Sequence, residues 1–234
     1  GEWDSENYHG HSVGPLCNLL DFAADEEVRL LAKACLDWFF AAGAVKYWRG
    51  GFTGPTRRDY NHVQPFGGSA ANMLWVGFGD APRPKDGDWE SDEVHLITSS
   101  YRPPPAVLAL ARKRFERPLE LLAAKPRYTA TTGGDLRSPP ESLEVQHFGH
   151  TFQMGSLAGG TSTDGGDING FKILVWSDVR GAVAIQCVPG PDPTHAGSPA
   201  YQSGKVSGPN RVAQLRNIAI WLVRDGKSPW VWLV

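Results

Sequence analysis

The sequence lacks the features that identify a disulfide-rich, metal-ribbon, membrane-spanning or nucleic-acid-binding protein. Its three cysteines, Cys17, Cys35 and Cys187, show no Cys-x-x-Cys spacing, which argues against a disulfide framework and a zinc ribbon. No stretch reaches the roughly 18 apolar residues of a membrane helix. The 23 basic and 25 acidic side chains give a net charge of −2, which argues against a nucleic-acid-binding surface.

Tryptophan, glycine and proline are what the sequence has in quantity. The 234 residues are 41% hydrophobic and 21% charged, as in an ordinary folded protein. The nine tryptophans fit either a core or a surface that stacks on sugar rings. The 27 glycines and 18 prolines predict many turns, which favours a β-rich part.

The first half of the sequence has the periodicity of helices. Asp25 is typical of a helix N-cap, and Gly43 of a residue that follows a helix end. In the helix between them, the spacing predicts one buried face that consists of Val28, Leu31, Ala32, Cys35, Phe39 and Ala42. Helices are predicted over residues 15–24, 26–42, 69–78 and 105–115, with a short fifth over 117–124.

The second half changes to the patterns of strands and turns. We predict an α+β protein with a helical domain over residues 1–125 and an antiparallel β domain over 126–234. Helix pairs joined by long loops fit part of an (α/α) toroid, and two pairs would leave an apolar face open to further chain or to a partner. Strands are predicted over residues 127–132 and 142–157, with hairpins formed by 171–178 with 182–188 and by 211–224 with 230–234.

Five of the seven histidines fall in three polar clusters. The first cluster reads Ser-Glu-Asn-Tyr-His-Gly-His and contains Asn7, Tyr8, His9 and His11, just before a predicted helix. The second reads Arg-Arg-Asp-Tyr-Asn-His over residues 57–62, inside a loop rich in glycine and proline. The third contains His147 and His150 on a long predicted strand, where two such positions face opposite sides.

These residue types suit the β-elimination of a polysaccharide that contains uronic acid. Asn, His or Arg donors at the uronate carboxylate stabilise the enolate-like charge that develops when the C5 proton leaves. A Tyr or His can take that proton, and a Tyr hydroxyl can protonate the leaving oxygen. A basic Tyr needs nearby cations because its ordinary pKa is about 10. Arg57 and Arg58 are two such cations close to Tyr60.

The order of the three clusters resembles the heparinase II/III-like and alginate-lyase-like polysaccharide lyases. The resemblance lies in SENYH before a helix, GPTRRDY about fifty residues later, and a His-bearing strand that ends in MGS. The family pattern differs in that His directly follows Asn, whereas Tyr8 separates Asn7 from His9 here. A Tyr often precedes the Gly-Ser, and Phe152 stands near that place.

The resemblance implies an (α/α) toroid joined to an antiparallel β-sandwich, of which this chain is a shortened or partial version. It implies that Asn7, with His9, neutralises the carboxylate, that Tyr60 is the catalytic acid and also serves as base, and that His150 or His147 assists. Of these two we prefer His150 as catalytic and place His147 with the residues that bind the sugar. The remaining sugar-binding candidates are Arg57, Arg58, Tyr8 and Trp48.

Two other functions fit parts of the pattern. A non-catalytic sugar-binding module of the same architecture would explain the short chain and the altered motif. A toroid glycoside hydrolase would need paired carboxylates, and Glu6 and Asp59 are candidates.

The lyase reading fixes the expected partners. The substrate is an acidic polysaccharide, with no organic cofactor, no metal, no nucleic acid and no membrane. Either a homo-oligomer or additional chain segments would cover the open ends. The resemblance also implies a periplasmic or secreted location, although no signal peptide is visible in these residues.

Overall fold

The described helices precede the strands of the main antiparallel sheet along this chain, so the fold is α+β. The computed structural model describes residues 4–5, 8–57, 69–79, 92–125, 142–159, 168–169, 171–177, 181–188, 211–222 and 230–233. In these ranges the helices are α1 (Tyr8–Phe22), α2 (Glu26–Lys46), α3 (Ser69–Phe78), α4 (Glu93–Thr98) and α5 (Pro105–Ala111). The strands are β1 (Tyr47–Trp48), β2 (Gly51–Phe52), β3 (Thr56–Arg57), β4 (Leu119–Lys125), β5 (Ser142–Phe148), β6 (Phe152–Gly159), β7 (Ile168–Asn169), β8 (Phe171–Ser177), β9 (Gly181–Val188), β10 (Arg211–Leu215), β11 (Ile218–Leu222) and β12 (Trp230–Leu233).

Six of the described strands form one antiparallel sheet in the order β12-β9-β8-β6-β5-β4. The pairs β1–β2, β3–β7 and β10–β11 lie outside it, and β10 packs beside β6. Strand β4 lies within residues 1–125, and its Leu122 pairs with Val145 of β5. The first 125 residues therefore contribute one strand to the main sheet.

The hydrophobic core lies among the helices. Val13 of α1, Leu36 and Phe40 of α2, and Leu74 and Phe78 of α3 are all 1% exposed or less. The Phe40 and Phe78 rings meet edge to face, with their centroids 5.8 Å apart. Such aromatic pairs add stability beyond the area that they bury.

The N-terminal end of α2 was predicted correctly, and its C-terminal end was not. The Asp25 carboxylate accepts a hydrogen bond of 2.8 Å from the Glu27 amide, which confirms it as the N-cap. Gly43, the predicted end, is buried inside the helix, which continues to Lys46. A Cβ atom at Gly43 would lie 2.4 Å from Cδ2 of Leu74. The glycine therefore permits α2 and α3 to approach closely.

The predicted buried face of α2 was wrong by part of a turn. Leu31 is 60% exposed and Cys35 is also exposed, whereas Leu36 is fully buried. The apolar arc of this helix is wider than the strip that its neighbours cover, and periodicity cannot tell which edge they cover. Trp38 of the same helix is also 66% exposed.

Two other sequence predictions are corrected by strand pairing. Residues 117–124, predicted as a helix, instead contribute β4, because pairing with β5 outweighs a weak helical preference. The single long strand predicted over 142–157 is a hairpin of β5 and β6. Its turn is closed by the Gly149 amide, which donates a 3.0 Å hydrogen bond to the Phe152 carbonyl.

The predictions for the last hundred residues were partly right. The hairpin of β8 and β9 is confirmed. Residues 211–224 were predicted as one strand, but they form the hairpin β10–β11, which turns at Arg216 with a φ of 55°. Strand β12 pairs with β9 instead. The predicted strand at 127–132 lies outside the described residues.

Among the described helices, none is long and apolar enough to cross a bilayer.

The corrected face of α2 gives a matched pair of substitutions. Leu36→Ala should lower the free energy of unfolding by about 2–5 kcal/mol, because it removes a fully buried side chain and leaves a cavity. Leu31→Ala should change it by less than about 0.5 kcal/mol, because most of that side chain is already in water. Urea unfolding of both variants measures the difference, and equal losses would contradict the placement of α2.

Candidate functional site at the helix–sheet junction

Buried polar side chains lie close together where α2 meets the sheet, and we call them the junction cluster. Its members are Asp4, His9, Lys46, Glu144 and Gln146. Lys46 and Glu144 are each 1% exposed, Gln146 is fully buried and His9 is 7% exposed. The Asp4 side chain is 8% exposed. Charged side chains are rarely buried to this extent unless they are paired.

Lys46 is the centre of the junction cluster. Its ammonium nitrogen lies 3.0 Å from Oδ2 of Asp4 and 3.2 Å from Oε2 of Glu144. It also donates a hydrogen bond to the Pro55 carbonyl. One side chain at the end of α2 therefore joins the residues before α1, strand β5 and the turn between β2 and β3.

His9 lies in the first turn of α1 and is the member of the junction cluster that this helix contributes. The Ser5 hydroxyl caps this turn by accepting a 3.0 Å hydrogen bond from the Tyr8 amide. The His9 ring packs between aromatic rings, with its centroid 5.1 Å from Phe39 and 6.2 Å from Phe52. Burial thus keeps this imidazole out of water.

The protonation of His9 follows from its surroundings. Burial lowers the pKa of His9 below its ordinary value of 6.5, because it removes water from the charged form. Asp4 opposes this shift and Lys46 adds to it. The ring hydrogen-bonds to the Phe39 carbonyl, and its Nε2 atom has no partner among the described residues. A neutral ring that donates from Nδ1 leaves Nε2 as an acceptor.

Strand β5 turns its polar side chains towards the helices. Glu144 meets Lys46, and the Gln146 amide donates to the Gly54 carbonyl at 2.6 Å and to Glu144 Oε1 at 2.8 Å. Side chains alternate along a strand, so His147 lies on the opposite face. There its ring stacks on Phe152 with centroids 5.1 Å apart.

His147 is also buried, but away from the junction cluster. Burial lowers its pKa, and Glu120 opposes that shift from the paired position on β4. Its Nδ1 atom has no partner among the described residues. The described residues therefore include two buried imidazoles, one at the junction cluster and one on the face of β5 that points away from it.

His150 lies in the turn after β5 and not on a strand, which corrects the predicted alternation with His147. Its Nε2 atom is 2.7 Å from the Phe115 carbonyl, and the two rings are 4.8 Å apart. This hydrogen bond holds the His150 side chain against the residues that follow α5. His150 was the preferred sandwich histidine, and neither it nor His147 contacts a residue of the junction cluster through the bonds described.

The structure also corrects the expectation for Trp48. This residue belongs to β1 and is fully buried, with the Arg49 guanidinium 5.2 Å from its ring centroid. No face of its indole is open to a sugar. Tyr8 is 36% exposed, and its ring lies 5.6 Å from that of His11.

Several sequence candidates lie outside the described residues. Strand β3 contains the backbone of Arg57, which pairs with Ile168 of β7, and its side chain is not described. The candidates without described coordinates are Asn7, Arg58, Tyr60, Glu6 and Asp59.

His9 and His11 diverge although they are two residues apart. His11 pairs with Asp92, and the Ser69 hydroxyl donates to the same carboxylate oxygen at 2.6 Å. This contact ties α1 to the beginnings of α3 and α4. Only His9 of the pair faces the junction cluster.

Sequence reasoning missed Lys46, Glu144 and Gln146. The segment Leu-Glu-Val-Gln reads as a strand whose apolar side is buried, but Leu143 is 40% exposed and Glu144 is 1% exposed. The position of Lys46 directly before the apolar Tyr47 and Trp48 predicts that this lysine is buried. It does not identify the carboxylates that pair with it.

No group of three His, Cys, Asp or Glu side chains in the described ranges is placed to hold a metal ion.

Comparisons of the chain with protein-family models, curated proteins and solved structures found no match.

The lowered pKa of His9 predicts how stability depends on pH. Near pH 7 the ring is neutral in both states, so its contribution is complete above the ordinary value of 6.5. Below that value the unfolded chain binds the proton more readily than the folded one, so the free energy of unfolding falls. His9→Asn should reduce this slope between pH 7 and 5, measured by urea unfolding.

His150→Asn is the control, because this exposed histidine lies at the turn and not in the junction cluster. It should retain the wild-type slope. His147, whose pKa is also lowered, should leave a residual slope in His9→Asn. An unchanged slope in His9→Asn would contradict the burial of a neutral ring.

Proposed function

We propose that this protein is a polysaccharide lyase that cleaves a uronic-acid polysaccharide by β-elimination. The observation that supports the proposal is that His9, from the first polar cluster, packs near Phe52 of β2. Phe52 lies five residues before Arg57, where the second polar cluster begins. The resemblance to the heparinase II/III-like and alginate-lyase-like enzymes requires these clusters to meet.

The state of His9 argues against one of its expected roles. Burial lowers the pKa of His9, so the ring is neutral near pH 7 and carries no charge with which to neutralise a carboxylate. The ring packs between Phe39 and Phe52 and its Nε2 atom is buried, so it is not placed to reach a substrate directly. We therefore assign carboxylate neutralisation to Asn7 and to Arg57 or Arg58, and proton transfer to Tyr60.

The proposed step balances without a cofactor. A base takes the C5 proton, and the C–H electrons form a double bond between C4 and C5. The bond from C4 to the glycosidic oxygen breaks, and Tyr60 protonates that oxygen. Donors at the carboxylate stabilise the charge that develops during the step.

The proposed architecture extends the observed α+β fold. We propose that the helices are part of an (α/α) toroid and that the sheet, with the β10–β11 hairpin beside β6, is part of a β-sandwich. The exposed apolar side chains of α1 and α2 fit a helical layer that continues beyond these helices. Phe22, Leu30, Leu31 and Trp38 are each at least 60% exposed.

A non-catalytic sugar-binding module is the second candidate. It is favoured by the position of His150, which bonds the Phe115 carbonyl instead of facing the junction cluster. Binding of an oligouronate without turnover, unchanged by Tyr60→Phe, would support this alternative.

The lyase proposal is tested on alginate, glucuronan, heparan sulfate and hyaluronan by the ultraviolet absorbance of the unsaturated product. Tyr60→Phe should lower the initial rate by about 100-fold or more, because it removes the proposed proton donor. Tyr101→Phe is the matched control, since Tyr101 is buried among the helices, where its hydroxyl donates to Asp37. It should retain the activity.

Two results would overturn the proposal. One is a folded wild-type protein that releases no unsaturated product from any of the four polymers. The other is full activity in Tyr60→Phe.

A further inference from the structure

The turn between β2 and β3 is held by hydrogen bonds to buried residues of α2 and β5. The Gln146 amide donates to the Gly54 carbonyl at 2.6 Å, and Lys46 donates to the next carbonyl, that of Pro55. The Thr53 amide and hydroxyl each donate to the Lys46 carbonyl at 2.8 Å. Three consecutive residues of the turn are therefore fixed by hydrogen bonds to α2 and β5.

A second buried glutamine continues this support on β6. The Gln153 amide donates to the Val45 carbonyl at 2.6 Å and to the Thr53 hydroxyl at 3.1 Å. Lys113 orients it by donating to its Oε1 atom and, at 2.8 Å, to the Tyr47 carbonyl. Gln153 thus fixes the end of α2 and the start of the turn together.

The turn also rests directly on the sheet. A Cβ atom at Gly155 of β6 would lie 1.8 Å from the Gly54 carbonyl oxygen. Real side chains do not approach a backbone atom so closely, so only glycine permits this contact. Gln146 and Gly155 occupy paired positions on β5 and β6, and together they form the surface beneath Gly54.

Hydrophobic packing alone would not need these glutamines. A buried amide without full compensation costs free energy, and Oε1 of Gln146 has no partner among the described residues. An apolar residue of similar size would avoid that cost, but it could not fix the Gly54 carbonyl. What the amide provides is therefore the position of the turn.

We propose that Gln146 and Gln153 are positioning residues, which hold the segment from Gly51 to Arg57 against His9. Phe52 of this segment packs near the His9 ring, and Arg57 is at its other end. The functional half of this inference rests on the proposed lyase reaction. In that reaction the two glutamines touch no substrate and act through the residues that they place.

The test is Gln146→Met, which keeps the length of the side chain and removes its hydrogen bonds. We expect kcat to fall by about 10- to 100-fold, since a misplaced reacting group is costly, while KM changes by less than about threefold. Gln214→Met is the matched control. Gln214 belongs to β10, and its amide bonds the Met154 and Arg216 carbonyls outside the turn.

Hydrogen–deuterium exchange provides a readout that does not need the reaction. In Gln146→Met the amides of Thr53, Gly54, Thr56 and Arg57 should exchange at least about tenfold faster, while those in the middle of α2 and α3 keep the wild-type rate. Gln153→Met should show the same pattern and replaces Gln146→Met if the latter does not fold.

The outcomes separate the two proposals. If the wild-type protein cleaves no uronate polymer, the lyase proposal fails, and the exchange data alone decide whether the glutamines position the turn. Wild-type exchange at residues 53–57 in both variants would overturn the positioning role. A uniform rise in exchange through the whole protein would overturn it too, because that pattern reports general stability.

Discussion

The pairing of one buried lysine with two carboxylates is the interaction on which the rest of this structure depends. Lys46 binds Asp4 and Glu144, and these three residues lie in three separate parts of the chain. Removing one member of such a group leaves an unpaired charge buried away from water. The free energy that this costs is much larger than the free energy that the intact group adds to stability. The triad therefore specifies one arrangement of helices and sheet more than it adds stability.

The triad also explains why α2 is longer than its capping signals indicate. If the helix ended at Gly43, Lys46 would not lie one turn further along the axis and could not reach β5. The glycine is used instead for the contact with Leu74. A residue that often ends a helix here serves packing between helices, because tertiary contacts outweigh local preference.

Some of the helices could be predicted from sequence, and the junction could not. The N-cap at Asp25 and the bounds of α3 depend on local signals, so they were recovered. Glu144 and Gln146 depend on what lies opposite them. Their alternation with Leu143 and Val145 predicts a strand correctly but assigns the solvent side to the wrong face, since a polar face is normally exposed. Only the position of Lys46 reverses that assignment.

Among the candidate site residues, His9 and His150 show what the sequence can and cannot predict. His9 was selected from its neighbours in sequence, and the structure places it beside the turn that leads to the second cluster. Its burial could not be read from sequence, because Phe39 and Phe52 are 30 and 43 residues away in the chain and come together only in the fold. His150 was preferred on a strand pattern that a turn at Gly149 interrupts.

Gly155 shows how a short motif can be retained for shape. The Met-Gly-Ser of β6 carries part of the likeness to a lyase family, yet its glycine performs no chemistry and only leaves room for the Gly54 carbonyl. Larger residues do not fit at this position, so a library that randomised residue 155 and selected for the folded protein would return glycine. A glycine at the matching position of another sequence therefore indicates a shared backbone contact, and by itself it says nothing about a shared reaction.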